Sequence, residues 1–274
     1  MPEFEVTRLL DTDTLAARNV FCNAIHRERG PQECASITHL VFPYRGIYLR
    51  HVGTQQAAAD ANHVLFFNAD EPYEVSHPVA GGDASLVLVL SEQTFDELVP
   101  RSLLDEGATF RFRGQQQRID PRAQALVAIL RHGLQRKAIE SLEAESLLLT
   151  LVCRSLGPRT SHQPRATYGR QRLVDRVKVL LASDLGRRWT LADIAAQVRG
   201  SPVYLTQVFK QIEGIPLYRY HLRLRLARAL DLLPRCDDLT TLAFDLGFSS
   251  HSHFTAAFRQ AYGRSPSEFK HSLW

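Results

Sequence analysis

Apolar positions in the second half of the chain recur at helical spacing, and one such pattern is written twice. The first copy runs Leu191-Ala-Asp-Ile-Ala195, a turn, then Ser201 to Gly214; the second runs Leu239-Thr-Thr-Leu-Ala243, a turn, then Ser250 to Gly263. The copies are offset by 48 residues before the turn (Ala195 to Ala243) and by 49 after it (Phe209 to Phe258), so they differ by one residue within the turn. A repeat that keeps register across two helices predicts a duplicated two-helix unit. In the second helix of the first copy, Leu205, Val208, Phe209 and Ile212 share one face, and Val203, Thr206, Gln207 and Lys210 lie opposite. The second copy places Phe254, Ala257, Phe258 and Ala261 inward and Ser252, Thr255, Ala256 and Arg259 outward. Thr190 with Asp193, and Ser201 with Pro202, mark helix starts.

Between the copies, Tyr218, Leu222, Leu226, Ala229 and Leu233 form one stripe, predicting a single helix over 217–233. About 17 residues at about 1.5 Å each give roughly 25 Å. With its flanking turns, that length suits two helices held about one duplex turn, ~34 Å, apart. A plain three-helix core would bury the same stripes. The outward faces, small, polar and basic, are what a helix entering a major groove requires.

The first half alternates on a shorter period. The runs Val20–Cys22, Ser36–Phe42, Gly46–Val52, His63–Phe67, Tyr73–Val75 and Ser85–Leu90 are rich in β-formers, with turn signals such as Asn68-Ala-Asp-Glu-Pro72 and Ala80-Gly-Gly-Asp83 between them. Many short strands predict a β-sandwich or barrel. Two helical patterns follow, Pro121 to Leu134 and Lys137 to Leu156. Leu126, Ile129, Leu130 and Leu134 line the first, while Leu147-Leu-Leu-Thr-Leu-Val152 is more apolar than one buried face needs. This helical pair either packs on the strands alone or also pairs two copies of the chain. Residues 157–167, polar and proline-bearing, form a linker between domains at 1–156 and 168–274.

Charge sharpens this division. Residues 168–274 hold 16 Lys and Arg against 9 Asp and Glu, a net of +7, whereas residues 1–156 hold 15 against 20, a net of −5. The basic excess sits with the duplicated helices, as a surface that displaces counterions from phosphates demands. Across 274 residues, 45% hydrophobic, there is length for two cores and no run of the ~18 apolar residues a membrane span takes. The acidic start, Met1-Pro-Glu-Phe-Glu5, has no signal-peptide pattern and predicts a cytoplasmic protein. Cysteines 22, 34, 153 and 236 show no paired spacing, which predicts reduced thiols.

Tyr220, then Arg225-Leu226-x-x-Ala229-x-x-x-Leu233, Ala243-x-x-x-Gly247-Phe248-x-Ser-x-Ser252-x-Phe254-x-x-x-Phe258-Arg259 and Gly263-x-Ser265-Pro266-x-x-Phe269 together resemble the DNA-binding domain of the AraC/XylS family of bacterial transcription regulators, over residues 170–274. The resemblance implies an α+β multidomain chain: an N-terminal cupin-like β-barrel with a helical pair, then an all-α domain with two helix-turn-helix units. It implies a regulator rather than an enzyme. Double-stranded DNA, a small-molecule effector in the barrel and a second copy of the chain are its implied partners, with RNA polymerase allowed as a further one. The base-facing residues it implies are Val203, Thr206 and Gln207 in the first unit and His251, Ser252, His253 and Ala256 in the second, with Lys210 and Arg259 toward phosphate. Ala256 departs from the long polar side chain frequent at that position, which puts part of the second unit's base readout in doubt.

The polar groups of the strand region are Cys22, His26, Cys34, His39, His51, His63 and His77. Imidazole with thiolate suits zinc or copper, yet their spacing matches neither a zinc finger nor the cupin pattern of two histidines one residue apart. Satisfied histidines and buried thiols, with no cofactor or metal, are therefore expected. A metal- or thiol-responsive sensor remains open, as does a cupin metalloenzyme fused to a DNA-binding domain.

Overall fold

The computed structural model describes residues 4–24, 27–107, 110–157 and 167–272. They fall into two compact units, Met1–Ser161 and His162–Trp274. Of the predicted linker, residues 158–166 lie outside the described residues, as does His26.

The first unit contains strands β1 (Phe4–Asp11), β2 (Leu15–Cys22), β3 (Glu33–Cys34), β4 (His39–Arg45), β5 (Tyr48–Val52), β6 (Gln55–Ala59), β7 (His63–Phe67), β8 (Pro72–Ser76), β9 (Asp83–Leu90) and β10 (Gln116–Arg118). They form a six-stranded sheet, β1-β2-β9-β4-β7-β10, and a four-stranded sheet, β3-β8-β5-β6. The described strands do not close into a single ring, so a closed barrel is not established.

The pleat sends alternate residues of the large sheet to opposite sides. Leu15, Ala17, Leu40, Phe42, Val64, Phe66, Leu86 and Leu88 bury against helices α1 (Glu92–Leu98), α2 (Pro121–Gln135) and α3 (Ser141–Leu156). Val41, Leu65, Phe67 and Val87 face the smaller sheet, meeting Tyr48, Ala59, Tyr73 and Val75. Strands β1, β3, β6 and β10 fell outside the runs marked by β-formers: β1 is exposed along most of its length, β3 and β10 span only two and three residues, and β6 is Gln-Gln-Ala-Ala-Ala.

The helical pair differs in detail from its pattern. Lys137 takes φ 56° and Ala138 N–H donates to the Gly133 carbonyl at 2.8 Å, closing α2, so α3 starts at Ser141 rather than Lys137. On α2 the buried apolar side is Ala123, Val127 and Leu130; Leu126, Ile129 and Leu134 are only half-buried. On α3, Leu148 and Leu151 are fully buried in the unit's own core, which accounts for much of the apolar excess over 147–152. Asp120 caps α2 through Ala123 N–H at 2.9 Å and accepts from Arg154 Nε of α3 at 2.8 Å, tying the two helices.

The second unit is helical throughout: α4 (Tyr168–Ser183), α5 (Leu191–Val198), α6 (Pro202–Glu213), α7 (Leu217–Leu232), α8 (Leu239–Asp245), α9 (His251–Tyr262) and α10 (Pro266–His271). Phe209 and Tyr220 meet edge to face at 5.1 Å in the core that joins α4, α5, α6 and α7. A buried ion pair, Lys178 to Glu213 at 2.7 Å, ties α4 to α6. Helix α7 does not bury the predicted single stripe: Tyr218 is 65% exposed, while Tyr220, Leu224, Leu226, Ala227, Ala229 and Leu230 are buried around much of its circumference. A helix packed on several sides cannot be strictly amphipathic. No helix among the described residues is long and apolar enough to cross a membrane.

Candidate nucleic-acid interface

Each two-helix unit is assembled by capping chemistry legible in its sequence. Thr190 and Asp193 exchange hydrogen bonds at the start of α5, and the Thr190 hydroxyl and amide hold the Asp193 carboxyl below the usual carboxylate range. Ser201 accepts from Tyr204 N–H at 3.2 Å and Ser250 from His253 N–H at 3.1 Å, fixing where α6 and α9 begin. Asp238 starts α8; the Thr241 hydroxyl and the Thr240 and Thr241 amides draw its carboxyl down to about 2. Both α6 and α9 end on a left-handed glycine, Gly214 and Gly263.

The one-residue difference between the copies is now located. After the first helix the chain reverses through a left-handed Arg199 in one unit and a left-handed Gly247 in the other, still 48 apart. The helix-starting serines, 201 and 250, are 49 apart. The extra residue therefore lies between the reversal and the cap, in the segment Phe248-Ser249.

All nine predicted contact residues are exposed: Val203, Thr206, Gln207 and Lys210 on α6, and His251, Ser252, His253, Ala256 and Arg259 on α9. Their helix partners Leu205, Val208, Phe209 and Ile212, and Phe254, Ala257 and Phe258, are buried. Thr255 is the exception on the outward face: it is half-buried and its hydroxyl lies inside the unit. Thr206 bonds back to the Val203 carbonyl at 2.8 Å, and His253 Nδ1 meets the Ser249 hydroxyl at 3.0 Å, which orients the ring against Phe248.

The two helices contribute to one concavity. A depression of about 670 Å³ is lined by Thr206 and Lys210 from α6, Ser249 and His253 from the second unit, and Arg188 and Tyr218 between them. Arg225 of α7 braces its floor: Nε donates to the Leu185 carbonyl at 2.7 Å, Nη2 to that of Arg187 at 2.8 Å and Nη1 to that of Gly247 at 3.2 Å. One guanidinium thus joins the loop after α4 to the turn of the second unit. His221, one turn before Arg225, is pulled down to about 4 by burial and by that guanidinium, so it is neutral at pH 7.

The sequence matches a family model described as a helix-turn-helix domain over residues 194–272. It is similar to the probable transcriptional regulator LumQ of Photobacterium leiognathi, 28% identical over 72% of this chain and 75% of that protein. It is also similar to the HTH-type transcriptional activator RhaR of Klebsiella pneumoniae, 27% identical over 54% of this chain and 53% of the relative, so that match spans about half of the relative's length. Among solved structures, a transcriptional regulator with an AraC-type DNA-binding domain from Chromobacterium violaceum is 29% identical, covering 39% of this chain and 96% of that one, with a TM-score of 0.37. Residues 194–272 therefore carry a helix-turn-helix domain of the kind found in AraC-type transcription regulators. The chain is a DNA-binding transcription regulator.

For this domain, the periodicity of the helices alone left some surface residues out. Arg188 and Ser249 line the concavity from loops, where no period points outward. The adjacent serines 249 and 250 were a signal: the second caps α9, which leaves the first free to hold His253. Tyr218 was placed inward by its spacing and faces solvent.

Proposed function

We propose that α6 and α9 each enter a major-groove segment on one face of a duplex. Val203, Thr206, Gln207, His251, Ser252, His253 and Ala256 face base edges, and Lys210 and Arg259 face phosphate. The observation that carries this reading is the single concavity lined from both helices, with all nine residues exposed. Gln207 is the strongest base reader, since a primary amide matches the donor and acceptor of adenine. Ala256 offers only a methyl, so the second unit reads through His and Ser.

The same reading gives residues 1–156 the role of an opened cupin-like sensor for a small effector, joined to the DNA-binding domain at 168–274 by residues 157–167. A cavity of about 380 Å³ between the two sheets supports it. Leu142, 76% exposed at the start of α3, supports pairing of two chains through the helical pair. The regulator would work in the cytoplasm, with RNA polymerase as a further partner and no enzymatic step. Selection of duplexes from a random pool tests the DNA half of the proposal: it should return a two-part motif with its blocks about one helical turn apart. A single uninterrupted block would overturn it.

A further inference from the structure

The cavity between the sheets has one reactive wall. Cys22 and Asp83 sit opposite each other where β2 and β9 pair, and His77 follows β8 of the other sheet. Two paired strands and the residue after a third thus bring a thiol, an imidazole and a carboxylate together, all buried. The Asp83 carboxylate accepts from His77 Nδ1 at 2.7 Å, which fixes the tautomer and leaves Nε2 to face the Cys22 Sγ at 3.7 Å. Ala24 N–H donates to the same sulfur at 3.4 Å. The order thiol, imidazole, carboxylate is that of an activated nucleophile: a base beside it and a third group orienting the base. Burial pulls the imidazole's proton affinity down, but hydrogen bonds to Asp83 and Cys22 outweigh it and raise His77 to about 9.

The other described histidines of this region have partners of their own. His63 pairs with Asp60 at 3.1 Å, His51 with the Ser76 hydroxyl at 3.0 Å, and His39 stacks on Phe67. The cavity that Cys22 lines is otherwise largely apolar, walled by Val20, Val41, Val75, Val87 and Phe67. A site that pairs a nucleophile with a proton carrier in an apolar chamber suits an addition, in which nothing leaves and one proton is returned.

We propose that Cys22, activated by His77 and Asp83, is the nucleophile of a covalent sensing site whose ligand is a small apolar α,β-unsaturated carbonyl compound. The thiol proton passes to His77 Nε2 and the sulfur pair bonds to the β-carbon. The alkene electrons shift onto the carbonyl, and the proton returns from Nε2 to the α-carbon. One C–S and one C–H bond form, one S–H bond and the alkene π bond are lost, and no oxidant is consumed. The regulatory consequence rests on reading this unit as a sensor; the chemistry does not.

The test is cysteine-resolved mass spectrometry of the reduced full chain treated with cinnamaldehyde, with iodoacetamide as a polar reference. Cys22 should gain one whole cinnamaldehyde faster than exposed Cys34, which opens on the same cavity, and exposed Cys153. His77→Gln and Asp83→Asn, each checked for an unchanged melting profile, should slow Cys22 by about 10²-fold while leaving Cys34 unaffected. Should either variant fail to fold, the comparison of Cys22 with Cys34 in the unaltered chain decides alone. Cys22 reacting no faster than Cys34 would overturn the proposal. So would one zinc per chain whose removal is required before Cys22 reacts, since the three ligand atoms lie within 4.8 Å of one another and a metal site would then explain the cluster. Rapid capture with no change in DNA binding would support the thiol chemistry and remove the sensor reading instead.

Discussion

At the scale of single residues, exposure and chemistry separate the roles on α6 and α9. Gln207 offers an amide and Lys210 a charge, and the two should fail differently. Gln207→Ala should cost ~1 to 3 kcal/mol of binding at one or two base pairs and leave the rest of the site untouched. Lys210→Ala or Arg259→Ala should weaken all duplexes alike and flatten the salt slope by about 1 per lost phosphate contact. Titration of binding across salt concentrations, on matched and single-substituted duplexes, separates the two. His221 gives a pH signature. Its folded value, about 4, lies below the ordinary 6.5, so the unfolded chain takes up a proton first and stability falls as pH drops from 6.5 to about 4. Melting curves of His221→Gln should lose that part of the acid dependence; an unchanged slope would remove His221 from the account. The outward face was legible because exposed positions on a surface helix follow its period. Thr255 escaped because, at the edge of that face, packing rather than spacing decided its burial.

Elements were legible where their ends carry local chemistry. The capping residues Thr190, Ser201 and Ser250 set helix starts by hydrogen bonds within three residues, so sequence alone places them. Strand β1 carries no such mark, and the boundary at Ser141 depends on a left-handed Lys137 that nothing in the local pattern demands. The two-helix units depend on one bracing contact between elements. Gly247 has φ 76°, and a Cβ there would fall 2.2 Å from the Gly186 carbonyl oxygen and 2.6 Å from Arg225 Nη2. Gly247→Ala should therefore destabilise the second unit by about 3 kcal/mol or more. Gly263→Ala, equally left-handed but with open space around it, should cost only about 1 kcal/mol. Chemical denaturation of both variants checks the contrast, and equal losses would show that close approach is not what Gly247 serves. On α3, Leu148→Glu should unfold the first unit, because Leu148 is wholly buried there; Leu142, exposed at the helix start, is the position at which a charge tests chain pairing.

For the whole molecule, the chain forms two compact units, Met1–Ser161 and His162–Trp274, and the sequence differs between its halves in charge and in periodicity. What the sequence could not supply was the meeting of Cys22, His77 and Asp83, since a side-chain contact across 55 residues has no local signature. The division into units predicts that a fragment from Tyr168 onward retains DNA binding and loses any response to an effector. Fluorescence anisotropy of fragment and full chain on one duplex, with and without cinnamaldehyde, measures both. A response retained by the fragment would contradict a sensing role for the first unit. The central claim, that two helices on one face each read a groove segment, is tested most directly by methylation interference on a selected duplex, comparing the unaltered chain with Gln207→Ala and Ser252→Ala. The account predicts two interfering segments about one helical turn apart, with the first variant erasing contacts in one and the second in the other. A single segment, or one that both variants alter alike, would contradict it.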